Sequence, residues 1–156
     1  MAITKLNNSS LAAVTLAGLP IRSKSVLQVV SNFITSNENT TSTSFQATNL
    51  SASIIPTSTS SKVFVIVSSP SWYVDNNNAY ATVFRDTTNI GNGSSGLMMI
   101  YNNAAYAPST MQVMDSPSST SSLAYSVHHR VVVGGSSYMC YPSYGHFTIT
   151  LMEVAG

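Results

Sequence analysis

A chain of 156 residues and 16.5 kDa is long enough for one domain to bury its own core without disulfide or metal staples. Only 7% of its residues are charged, against roughly 25% in an average soluble domain, and Ser, Thr and Asn fill the polar positions. The formal net charge is +1 and the basic residues form no stripe that could follow a phosphate backbone, which argues against nucleic acid as a partner.

Residues 1–24 are weakly patterned, with Leu11, Leu16 and Leu19 set among Ala, Thr and Gly before Pro20. This segment reads as an extended arm whose apolar side chains need another surface to cover them, with a floppy terminus the equally weighted alternative. It lacks the cationic start and the long apolar run of a secretory signal. No stretch approaches the roughly 20 apolar residues of a membrane span, so no membrane partner is expected.

From Ser25 the texture changes to short runs rich in Val, Ile, Thr, Tyr and Phe between Ser, Asn, Gly and Pro clusters. The runs predict strands at 26–34, 44–55, 62–69, 79–85, 97–101, 111–115, 123–133 and 146–154. Loops fall at 75–78, 92–96 and 134–137, where Asn and Gly tolerate positive φ. Eight strands at this spacing give an all-β domain over 25–156, a two-sheet antiparallel sandwich. In the run 63–67 both alternating faces are apolar, so the strand should be covered on both sides. Val63, Val65 and Val67 therefore stand with Leu11, Leu16 and Leu19 as candidate interface residues. A domain with so few like charges is weakly held apart from its copies, and oligomerisation follows as an expectation.

Catalytic chemistry finds no footing in the pattern. Ser, His and Asp are present, but no Gly-x-Ser-x-Gly elbow occurs. The carboxylates Glu38, Asp75, Asp86, Asp115 and Glu153 have neither paired-acid nor calcium-loop spacing. Asp86 is expected to cap Thr88 or to pair with Arg130, and Asp115 to serve an ordinary turn. Cys140 stands alone, which excludes an internal disulfide and gives no zinc spacing. His128 and His129 are neighbours on a strand and must point to opposite faces, so they cannot jointly hold one ion. His146 could approach one of them. In a threefold oligomer, one His facing the axis becomes three, a potential metal or pH-sensitive cluster, although solvated or singly hydrogen-bonded histidines are the plainer reading. No cofactor, metal or enzymatic activity is expected. Trp72 and Tyr73, with Tyr138, Tyr141 and Tyr144, are candidate recognition residues, since such rings stack on sugars or anchor interfaces; core closure explains them equally well.

The strand Ser25-Val26-Leu27-Gln28-Val29-Val30, the strand start Ser60-Ser61-Lys62-Val63 and the segment from Ala81 to Ile90 follow one another in a recognisable layout. So do the turn Met114-Asp115-Ser116-Pro117 and the closing strand from Phe147 to Val154. From about Ser25 to the carboxyl end this resembles the small β-sandwich virion modules of tailed bacteriophages, of the cyanophage type. The resemblance implies a homotrimeric jelly roll, related in architecture to tumour-necrosis-factor and complement-type heads. It implies a capsid decoration or cement protein bound to the major capsid protein or another virion protein, made in the host cytoplasm and located in the virion. The alternative it implies is the receptor-binding knob of a tail or head fibre, with a host surface glycan as ligand.

Overall fold

The computed structural model describes residues 24–75, 78–101, 106–140 and 144–156. Among them are strands β1 (Val26–Ile34), β2 (Glu38–Thr40), β3 (Gln46–Ile54), β4 (Lys62–Asp75), β5 (Asn78–Arg85) and β6 (Thr88–Asn89). There follow β7 (Met98–Tyr101), β8 (Ala107–Asp115), β9 (Leu123–Val131), β10 (Ser136–Met139) and β11 (Phe147–Val154), with no helix among the described residues. The protein is all-β, with two antiparallel sheets stacked as a sandwich.

Several strands are halves of one interrupted row. β11 pairs β4 over Lys62 to Ser68 and β10 pairs it over Trp72 to Asp75, both on the edge opposite β8. β1 and β2 flank that row in the same way, Ile34 beside Phe147 and Glu38 beside Met139. Sheet one is therefore four rows wide: β1 with β2, then β11 with β10, then β4, then β8. Sheet two has the rows β3, β9, β5 and a broken row of β6 and β7. Numbered along the chain, the rows of sheet one run 1-8-3-6 and those of sheet two 2-7-4-5.

Alternation sets which side chains meet between the sheets. Val63, Val65 and Val67 of β4 and Phe147, Ile149 and Leu151 of β11 face inward onto Leu50, Val83, Tyr125 and Val127 of sheet two, all essentially without solvent exposure. The strand expected over 62–69 runs on through Pro70 to Asp75. The proline lies where the β8 register shifts, between Ser69 and Trp72, and where β11 gives way to β10. Its missing N–H is therefore needed by neither neighbour. Ser136 and Ser137, expected in a loop, open β10 instead, because the chain returns there to pair with β4 and β2.

The sandwich is closed along one side by amide side chains. Gln28 Nε2 donates to the Ile55 carbonyl at 2.7 Å and Asn32 Nδ2 to the Ser51 carbonyl at 2.8 Å, tying β1 to the chain of β3 across the gap between sheets. At one end the backbone of Lys24 donates to Ala155 and that of Ala155 to Ser25, so the start of the described domain and its last residues leave from the same end.

Candidate self-association face

The outward side of sheet one follows from the pairing register. Val29, Met152, Phe64 and Met114 form one continuous row across all four strands. Beyond it lie Ser31, Thr150, Ile66 and Gln112, and then Phe33, Thr148, Ser68 and Thr110. Past the break, Tyr138 and Tyr73 are cross-strand partners on the same side. Val26, Val29 and Phe33 are 54 to 56% exposed and Met114 is 48% exposed, values far above those of the inward set. β-branched, aromatic and Met side chains thus occupy the solvent face of a sheet that already has a full core.

The tyrosines form a series. Ring centroids of Tyr138 and Tyr73 lie 5.8 Å apart, those of Tyr73 and Tyr106 5.0 Å, and those of Tyr106 and Tyr144 5.4 Å. His146 stacks on Phe33 at 4.3 Å with 24° between the rings. Among the described residues, charge on the face is confined to its ends: Lys24 and Lys62 at the end where the described chain begins, Asp75 at the other. Four rows at about 4.8 Å spacing and the length of β4 at about 3.3 Å per residue give a footprint on the order of 900 Å². A standard protein interface buries about 800 Å² on each partner. An uncharged face of that size can be covered by a neighbouring copy without burying a charge of its own.

Other charged groups among the described residues are used inside or at the seams of the sandwich. Glu153, with no solvent exposure, accepts Gln28 Nε2 at 2.6 Å and the backbone N–H and hydroxyl of Thr57, both at 2.7 Å. Burial pushes its carboxyl up, but those hydrogen bonds outweigh burial and hold it below its ordinary range. Asp115 takes a two-pronged bond from Arg85 Nη1, at 2.7 and 2.6 Å, and the Tyr125 hydroxyl at 2.7 Å, joining β8 of one sheet to β5 and β9 of the other. The Asp115 hydrogen bond raises the Arg85 guanidinium, while burial and then Asp115 raise the Tyr125 phenol.

His129 points inward, 1% exposed, with Nδ1 3.0 Å from the Ser137 hydroxyl, which also receives Trp72 Nε1–H at 2.8 Å. Burial, with a smaller contribution from His128, pushes it down to about 4. His128 lies on the opposite face, stacked on Phe84 at 4.0 Å with Nε2 2.9 Å from Ser126 Oγ, and burial lowers it. The two histidines do diverge. His146 approaches neither of them, being on the outward side of sheet one.

The remaining sequence candidates divide. Val63, Val65 and Val67 are corrected: they are covered by the second sheet of their own chain, and the outward positions of the doubly apolar run are Phe64 and Ile66 between them. Trp72 is also corrected, since it is wholly buried and bonded to Ser137, a core residue unable to reach a ligand. Tyr73, Tyr138 and Tyr144 lie on the face just described. Leu11, Leu16, Leu19 and Tyr141 fall outside the described residues. Asp86 bonds the Ala124 N–H through Oδ1 rather than Arg130. Arg130 instead lies over the rings of Phe45 and Tyr80 and donates to the carbonyls of Ser94, Thr43 and Val131. Cys140 is buried, and burial raises its thiol. Among the described residues no group of three or more His, Cys, Asp or Glu side chains gathers as metal ligands would.

Val29, Phe33, Met114 and Met152 were not singled out in the sequence. The signal was available in the apolar alternate positions of 26–34, whose partner face holds the amides Gln28 and Asn32. No protein-family model matches the chain, and no curated protein matches it.

Proposed function

We propose that the protein is a homotrimeric structural component of a phage particle, a jelly-roll module that decorates and reinforces the head. The observation that carries this is the outward side of sheet one: a broad surface free of charge between its ends among the described residues, with the apolar row Val29, Met152, Phe64 and Met114 beside Ile66 and Phe33, on a domain whose core is already complete. Burying the apolar part of that surface contributes about 25 cal/mol per Å² before the costs of association. The jelly-roll reading rests on row order, because 1-8-3-6 facing 2-7-4-5 is what winding a double Greek key produces. Repetition over many capsid sites then makes individually weak contacts durable. Lys24 lies at the end opposite the tyrosines, and the segment before it is assigned to the shell.

A second reading, the receptor-binding knob of a fibre, draws on the tyrosine series at the end far from Lys24. Rings of this kind could stack on a glycan of the host surface. Electron microscopy of particles labelled on this protein separates the two by position and copy number. For the isolated chain, light scattering after size exclusion is expected to give a trimer. Phe64→Glu is expected to give a folded monomer, with unchanged far-ultraviolet circular dichroism. A wild-type monomer, or a Phe64→Glu trimer, overturns the reading.

A further inference from the structure

We propose that self-association through the outward side of sheet one is reversed by mild acid, with His146 as the responding group. The inference rests on the self-association reading and adds its regulation.

His146 is exposed on the isolated chain and stacks on the exposed Phe33, within the stretch of the face that carries no charge. At this level the neighbouring strands contribute Ser31 and Phe33 from β1, Thr148 from β11, Ser68 and Pro70 from β4, and Thr110 from β8. None of these titrates. The other titratable groups on the same half of the face are phenols, those of Tyr73, Tyr106, Tyr138 and Tyr144, and not carboxylates. Glu38, the carboxylate of the adjoining β2, is buried and held by Ser36 and Asn49. Lys62 and Asp75 mark the two ends. An imidazolium formed here therefore finds no carboxylate on its own face to pair with when a second copy covers it.

A neutral imidazole is readily accommodated in such a contact, whereas an imidazolium must give up its water without a partner. Its attraction to the Phe33 ring does not offset this, because that stack is present with and without the second copy. If association excludes the proton, acid weakens it once for every subunit that carries His146, so the effect multiplies over the trimer.

The test is sedimentation velocity of the full chain from about pH 8 to about pH 5.5, for wild type and His146→Gln, with circular dichroism of each sample. The expected result is a wild-type trimer near pH 8 that dissociates in acid with its β-sheet signal intact, while His146→Gln stays associated throughout. An unchanged wild-type distribution overturns the inference and leaves the trimer standing. So does a His146→Gln protein that dissociates as wild type does, or dissociation that appears only with loss of the β-sheet signal. A wild-type monomer near pH 8 defeats the trimer reading and this inference with it.

Discussion

Acidification from about pH 7.5 to about pH 4.5 should destabilise the folded chain chiefly through His129. Its ring is 1% exposed, and Ser137, already accepting the indole N–H of Trp72, can donate its own hydrogen to Nδ1 only while that nitrogen is unprotonated. Folding lowers the histidine from 6.5 to about 4, so its stabilising contribution is complete above pH 6.5 and is lost as the pH falls from there towards 4. At about 1.4 kcal/mol per pH unit within that window, the loss is about 1.4 kcal/mol at pH 5.5 and about 2.5 kcal/mol at pH 4.5. Glu153 acts in the same direction but only lower, because its depressed carboxyl gives up its contribution below the ordinary carboxylate range. Urea unfolding followed by the fluorescence of the single tryptophan, at one fixed protein concentration, measures the slope directly. His129→Gln should reduce it to the smaller part that His128, also lowered by burial, contributes. A wild-type stability unchanged between pH 7 and pH 5, or a His129→Gln protein with the wild-type slope, would refute the argument.

Two further outcomes test the packing. Asp115→Ala leaves Arg85 and the Tyr125 hydroxyl without their shared acceptor at the seam between sheets, and should cost about 3 kcal/mol by denaturant unfolding; a loss under about 0.5 kcal/mol would contradict the role given to the pair. Val65→Asp places a carboxylate among Val63, Leu151 and Val127 in the core and should yield no soluble folded protein; a folded, soluble variant would show that the inward assignment of β4 is wrong.

Most of the strands were legible because their apolar residues alternate and Asn or Gly clusters punctuate them. β1 was read to the residue, and β5, β7, β9 and β11 to within one or two positions. β2, β6 and β10 were not, since each is too short for a period to register and is strand only because a neighbour holds it. The face of sheet one was half legible. A strand apolar on both sides announces a second cover, but which parity faces the core depends on partners far along the chain, such as Leu151 beside Val65. The ionic contacts were illegible for the same reason. Gln28, Thr57 and Glu153 lie in separate stretches of sequence and meet only when the first and last strands pair.

That meeting keys the outermost strand to a single frame. β1 is a long edge without proline or charge, the kind of segment that could zip against β11 one position early or late at little loss of backbone bonding. Sliding it by one residue would swing Gln28 and Asn32 to the outside, bring Val29 against the Glu153 carboxylate and strand that anion in the interior without an amide. The penalty falls on every wrong frame and on none of the right one, so a greasy border strand can remain exposed and still be threaded correctly.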